Sequence, residues 1–194
     1  YNKVTVQPNM IMHIESNWNT INDYVKCLNK KYRARYVRAR KKLGNIEKRE
    51  LDIDAIKEES KHLHSLYSNV SDNAKFNTFF LPEQHFYSFK KELQNNFKVF
   101  GYYYQSNLIG FYTLIINNSV LETYFLGYDP EHQYNKQLYL NMLYDMLEFA
   151  IENNFSSVVY ARTAMEIKSS VGAKAFPMTM YIKHTNGFAN ALLK

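Results

Sequence analysis

Three stretches of the chain carry residue types and spacings that can do chemistry. The first is a junction, Leu121-Glu122-Thr123-Tyr124-Phe125-Leu126-Gly127-Tyr128-Asp129-Pro130-Glu131-His132-Gln133-Tyr134-Asn135-Lys136-Gln137-Leu138. An apolar strand runs there into a polar loop that opens a long helix. The free N–H groups and the dipole of such a helix start attract anions. The second, Tyr160-Ala161-Arg162-Thr163-Ala164-Met165-Glu166-Ile167-Lys168, follows another apolar run, Phe155–Tyr160. Ligands of open α/β sheets gather at such strand ends. Arg162 and Lys168 could orient a carboxylate or phosphate there, and Glu166 could take a proton; an Arg162–Glu166 ion pair four residues apart on a helix reads equally well. The third is basic. Lys30, Lys31, Arg33, Arg35, Arg38, Arg40, Lys41 and Lys42 put eight cations and no acid into thirteen residues. Lys31, Arg35, Arg38 and Lys42 share one helical face and Tyr32, Tyr36, Ala39 and Leu43 another. That face suits RNA, CoA or lipid phosphates, or is solvated and paired with Glu47, Glu50, Glu58 and Glu59.

Composition removes several classes. With 194 residues, 46% of them hydrophobic and 22% charged, the chain suits one domain with a sizeable core. Disorder and an integral membrane segment are excluded, since no apolar run nears the roughly 18 residues a spanning helix needs. A single cysteine, Cys27, excludes internal disulfides and a cysteine zinc site. Together with the lack of a leader it leads to the expectation of a reducing, cytoplasmic setting. Cys27 reads as a packed mid-helix residue, and Trp18 as packing a helix start. The histidines His13, His62, His64, His85, His132 and His184 show no metal spacing, so no metal is expected. Because the chain starts at Tyr1, it is expected to be the C-terminal part of something longer. A net charge of +6 combined with 16% aromatic residues leaves nucleic acid open as a partner.

The elements that must position these stretches follow from periodicity. A strand is expected over Val4–Ile14 and a helix from Ile21 to Lys42 stopped by Gly44. A short strand over Ile46–Leu51 and helices over Ile53–Val70 and Pro82–Gln94 come next. The period then changes to two: Phe97–Tyr104, Leu108–Ile116 and Val120–Gly127 read as a meander joined by Gln105-Ser106-Asn107 and Asn117-Asn118. A helix over Lys136–Asn153, a strand over Phe155–Tyr160, a helix over Ala164–Ser170, a strand over Phe176–Lys183 and a small helix over Asn186–Leu193 complete the order. Hairpins followed by β-α-β units predict an α/β (α+β) fold, a mixed, mostly antiparallel sheet flanked by helices.

The junction and this order resemble the GNAT acyltransferase superfamily. In that family a strand runs into "Val-Asp-Pro-Glu-Tyr" and then an Arg/Gln-x-x-Gly-x-Gly/Ala loop that holds the pyrophosphate of acyl-CoA. Tyr128-Asp129-Pro130-Glu131-His132 matches the first part and Gln133 the first loop position. Lys136 and Leu138 stand where the two small residues are expected. The hairpin Phe100-Gly101-Tyr102-Tyr103-Tyr104-Gln105-Ser106-Asn107-Leu108-Ile109-Gly110-Phe111 is similar to the family's "Ile/Val-Gly" hairpin. The basic stretch with Gly44 and its strand resembles the FemAB-like branch, which includes aminoacyl-tRNA-dependent peptidoglycan transferases and many bacterial N-acyltransferases, and which usually lacks the glycines.

What the resemblance implies is direct acyl transfer from acyl-CoA or a similar donor to a small amine, without a covalent enzyme intermediate. It implies Tyr128, Gln133, Tyr134, Asn135, Lys136 and Gln137 at the donor and Arg162, Glu166 and Lys168 at the acceptor. Glu122, sharing a face with Tyr124, would be the base, as strand glutamates often are in the family; a solvent-facing pair would look the same. Tyr160 with Arg162 would serve the leaving group, Tyr160 as its proton donor. Two further readings stay open: an aminoacyl-tRNA donor bound by the basic helix, and a non-catalytic GNAT-fold binding module.

Overall fold

The computed structural model describes residues 1–73 and 79–192. The elements follow the order β1 Asn2–His13, α1 Ile21–Cys27, α2 Lys30–Leu43, β2 Glu47–Glu50, α3 Ile53–Glu58, α4 Ser60–Ser71, α5 His85–Leu93, β3 Phe97–Tyr104, β4 Asn107–Asn117, β5 Val120–Tyr128, α6 Pro130–Lys136, α7 Leu138–Glu152, β6 Ser157–Val159, α8 Met165–Ser170, β7 Lys174–Ile182 and α9 Gly187–Ala191. The last residue of the helix expected over Asn186–Leu193 lies outside the described residues.

The seven strands form one sheet in the order β2-β3-β4-β5-β6-β1-β7. Every pair is antiparallel except β5 with β6. A mixed α/β sheet flanked by helices is therefore what the alternation of periods predicts. Strand alternation divides its side chains between two layers. On one face Phe100, Tyr102, Ile109, Tyr112, Leu121 and Val158 pack with α1, α2 and α7. On the other Phe97, Val99, Leu108 and Phe111 pack with α3, α4 and α5.

Three long helices expected from the sequence are each broken once, for local reasons. The first divides at Leu28, whose ψ of 143° is extended. Asn29 then caps α2 by accepting from the Tyr32 N–H at 3.1 Å, and Arg33 donates to the carbonyls of Val25, Lys26 and Leu28 at the end of α1. Gly44, with φ of 61°, ends α2 in a conformation that disfavours a side chain. The second divides at Glu59, where the Ser60 hydroxyl donates to the Ile56 and Lys57 carbonyls. The third starts earlier than expected, at Pro130 behind an Asp129 cap, and breaks at Gln137, whose φ of 51° is left-handed. Pro82 precedes α5 by a turn instead of opening it; its carbonyl accepts from the His85 N–H at 3.0 Å. Trp18 packs edge-on against Tyr24 as expected. Cys27 is exposed at the end of α1, because the helix break takes it off the buried stripe.

The basic stretch is fixed by α7 rather than by the acids that follow it in sequence. Arg40 donates to Asp145 at 2.6 Å and lies 3.5 Å from Glu148. The Tyr102 hydroxyl donates to the same buried Asp145, and Lys48 approaches it at 3.8 Å. Asn141, fully buried, donates to the Ala39 carbonyl. These bonds satisfy groups that would otherwise be costly to bury. Glu47 instead pairs with Arg49, and Glu50 with Lys98. No helix among the described residues is long and apolar enough to cross a membrane.

Candidate functional site

The site is built where two parallel strands part. β5 and β6 pair through Val120–Ser157, Leu121–Val158 and Glu122–Val159, and no further. Beyond that point β6 leads away to β1, with the Tyr160 N–H donating to the Met10 carbonyl at 2.8 Å. Among the described residues no strand pairs with Thr123–Tyr128 of β5 on that side. β5 also bulges there. Tyr112 opposes Leu126 and Leu114 opposes Thr123, so Tyr124 and Phe125 together face Thr113. The Thr113 hydroxyl pins the bulge by donating to the Phe125 carbonyl at 2.7 Å. Bulges of this kind re-aim side chains and occur beside active sites.

Farther along β5, Gly127 allows α4 to lie directly on the strand. A Cβ there would sit 2.4 Å from the backbone of Leu66 and Tyr67. Asn69 of α4 adds a bond to the Tyr128 carbonyl at 3.3 Å. The close approach fixes where the chain leaves the sheet for the α6–α7 junction.

That junction is closed by its own side chains. Gln133 accepts from the Tyr139 N–H at 3.0 Å, taking one of the free donors of the α7 start. Asn141 donates to the Lys136 and Gln137 carbonyls at 3.1 Å each. Lys136 is turned away, its ammonium 4.5 Å from the Tyr104 ring centroid. Tyr128 lies near Tyr139, ring centroids 6.5 Å apart. Tyr134 and Asn135 point outward on α6, Tyr134 being 83% exposed. The Gln137 Oε1 is buried without a partner. A phosphate seated on the backbone of this turn must displace Gln133, so the junction does not fit a glycine-loop pyrophosphate grip.

The remaining predicted residues fall into two groups. Glu122 and Tyr124 share the α5 face of β5 by alternation. Glu122 Oε1 accepts from Asn117 Nδ2 at 2.8 Å. Tyr124 stacks on Phe89 and lies 3.1 Å, hydroxyl to Nε2, from His85 at the start of α5. Burial raises the Tyr124 hydroxyl pKa and lowers that of His85.

The other group lies at the end of β6. Tyr160 is 1% exposed beneath α7 and donates to the Leu143 carbonyl at 2.7 Å, a core position closed to a leaving group. Lys168 is also buried and faces inward: its ammonium donates to the Arg162 carbonyl at 2.7 Å and lies 3.4 Å from that of Ala161. Burial lowers its pKa to about 8. It grips a loop in which Ala161, Thr163 and Ala164 all have positive φ. Arg162 and Glu166 are exposed, and the expected helical ion pair between them does not form because α8 begins only at Met165. No side-chain hydrogen bond or ion pair among the described residues joins Glu122 or Tyr124 to residues 133–137 of the junction, or either set to Arg162, Glu166 and Lys168. His85 is the residue sequence reasoning missed; an isolated histidine at a helix start carries no spacing signal.

Comparison with known proteins agrees with this geometry. A family model described as an acetyltransferase (GNAT) domain matches residues 30–169. No curated protein matches the chain by sequence. Among solved structures, an aminoglycoside acetyltransferase from an uncultured soil metagenomic sample, in complex with sisomicin, is similar at 18% identity and a TM-score of 0.54, over 73% of this chain and 96% of that one. FemX is similar at 10% identity and a TM-score of 0.66, over 91% of this chain and 62% of that one. The C-terminal domain of a putative lysylphosphatidylglycerol synthetase from Agrobacterium fabrum gives 9% and 0.61, over 99% and 64%. The chain thus spans under two thirds of the last two. With its parted parallel strands, bulged β5 and matching family model, the chain belongs to the GNAT acyltransferase superfamily, with a fold of the FemAB-like kind.

Proposed function

We propose that the chain transfers an acyl group from acyl-CoA or a similar activated donor to a small amine, directly and without a covalent enzyme intermediate. The observation that carries this reading is the parting of β5 and β6 beyond Glu122–Val159. It leaves unpaired strand N–H and C=O groups where an acyl carbonyl can be held and polarised. The donor lies along Thr123–Tyr128, with Tyr128, Gln133 and Gln137 at its distal end. Because Gln133 already caps Tyr139, donor phosphates meet side chains rather than bare backbone, so CoA affinity is low. Glu122, at the divergence, attracts the acceptor as its ammonium, and exposed Arg162 and Glu166 border the opposite lip. Residues 1–194 make a single GNAT-like acyltransferase domain, the C-terminal part of a longer chain, in a reducing, cytoplasmic setting.

Incubation with acetyl-CoA and a panel of primary amines, read by mass spectrometry, tests the reading. Amide product is expected, with Glu122→Gln raising KM more than it lowers kcat. Absence of product, and of any thermal shift with millimolar CoA, overturns it for CoA donors.

A second reading, an aminoacyl-tRNA donor, is favoured by one observation. Lys30, Arg33, Arg38 and Lys41 surround Ala34 and Val37 in an open recess of about 480 Å³ on α2. Val37 is 58% exposed there. Affinity for tRNA should then fall steeply with salt, and Arg38→Ala with Lys41→Ala should flatten the slope by about two. Binding that ignores salt overturns it.

A further inference from the structure

The bulge in β5 turns two consecutive side chains toward the helices of one layer. Phe125 goes edge-on against Tyr67 of α4, ring centroids 5.4 Å apart. Tyr124 joins a cluster of three rings: it stacks on Phe89 at 5.2 Å and on His85 at 5.8 Å, and His85 is tilted by 33° against Phe89 at 4.4 Å. The stack holds the Tyr124 hydroxyl 3.1 Å from His85 Nε2. Both residues are half-buried, so neither ring is sealed in the core. Tyr124 lies two residues from Glu122, about 7 Å along the strand, on the same face and just past the last β5–β6 pair.

An amine in water is mostly an ammonium ion, and its nitrogen attacks only after giving up a proton. Glu122 was the expected acceptor of that proton, but its carboxylate is engaged by Asn117. Resting on the acyl-transfer reading above, we propose that Tyr124 and His85 form the proton relay of the acceptor amine. The amine proton passes to the Tyr124 oxygen while the Tyr124 hydroxyl proton passes to His85 Nε2. The nitrogen lone pair forms the N–C bond to the acyl carbon. The bond from that carbon to the donor's sulfur or oxygen breaks, and the leaving group keeps its electron pair. As it departs, the leaving group takes the second proton, which the nitrogen must lose to become an amide, and His85 returns the first to solvent.

The surroundings suit a histidine that starts each cycle neutral. Rings touch it on its sides: Phe86, Phe89, Tyr124 and Phe125. The elements around it carry Asp54, Lys57 and Glu58 (α3), Lys61, His62, His64 and Tyr67 (α4), Tyr87, Lys90, Lys91 and Glu92 (α5), Lys98 and Tyr102–Tyr104 (β3), and Glu122, Tyr124 and Tyr128 (β5), of which Tyr124 meets the ring. None of them holds a proton on the imidazole: burial is what displaces its pKa, downward.

The test is the pH dependence of transfer from acetyl-CoA to sisomicin, free lysine and a lysine-bearing peptide. The wild type should lose kcat/KM toward acid, through a pKa on the acid side of an ordinary histidine. His85→Gln and Tyr124→Phe should each lose that limb and about 10²-fold in kcat, with KM changed less than about threefold. Imidazole added to His85→Ala should restore part of the rate, which a packing role would not allow. Product from His85→Gln at the wild-type rate with an unchanged acid limb overturns the relay and leaves acyl transfer standing. No product from wild type with any acceptor overturns both. Far-ultraviolet dichroism guards against misfolding, and Tyr124→Phe, which keeps the ring stack, provides an independent reading.

Discussion

Gly127 and Lys168 show how single residues set the geometry of the cleft from outside it. A methyl group at Gly127 would collide with α4 backbone, not with a movable side-chain tip. Gly127→Ala should therefore destabilise the protein by about 3 kcal/mol, at the upper end of overpacking costs, as measured by urea unfolding. It should also reduce activity by shifting β5. Lys168 acts in the opposite sense, holding a strained loop from within. Its folded pKa of about 8 lies below the unfolded value of 10.5. Between those values the unfolded chain binds the extra proton, so stability should rise with pH from about 8 to about 10. Lys168→Met should lose that rise, seen by comparing denaturation midpoints at pH 8 and pH 10. Above pH 10 the buried tyrosines Tyr102, Tyr112 and Tyr160, whose pKa values burial raises, reverse the slope, because the unfolded chain then loses protons first.

At the scale of elements, the α6–α7 junction is the informative departure. Gln137 adopts a left-handed backbone and buries an unpartnered amide oxygen. Gln137→Gly relieves both, and should stabilise the fold by about 1 kcal/mol and strengthen CoA binding, checked by thermal shift with and without CoA. The strands and their order were legible in sequence because alternation of apolar residues is a strong signal wherever one face is buried. The helix breaks at Leu28, Glu59 and Gln137 were not, since the apolar stripe continues across each of them. Those breaks depend on side-chain bonds, such as Arg33 to α1 and Gln133 to α7, that no periodicity records. The same holds for the candidate site. Glu122 and Tyr124 share a face, as alternation requires, whereas burial of Tyr160 and Lys168 depends on α7 and the 161–164 loop. His85 becomes interesting only when a bulge brings Tyr124 to it.

For the molecule as a whole, one ion network joins α2, β2, β3 and α7. Asp145 is its centre, accepting from Arg40 and Tyr102. Asp145→Ala would strand a mostly buried arginine and should cost about 3–5 kcal/mol; Asp145→Asn should cost less, since it keeps one acceptor. Urea unfolding at neutral pH distinguishes them. The outer end of the sheet lacks such reinforcement. β7 is an edge strand with Phe176, Met178, Met180 and Ile182 all over a third exposed, and among the described residues β1 is its sole neighbour in the sheet.

The place of β1 has a further consequence, in time rather than in space. Residues 2–13 pair with 157–159 on one side and with 174–182 on the other. During synthesis β1 must wait, unpaired, until residues 157–182 have left the ribosome. Contacts of such long sequence separation slow folding and lengthen exposure of open strand edges. Refolding should accordingly be limited by docking of β1, after β3, β4 and β5 have formed from neighbouring segments.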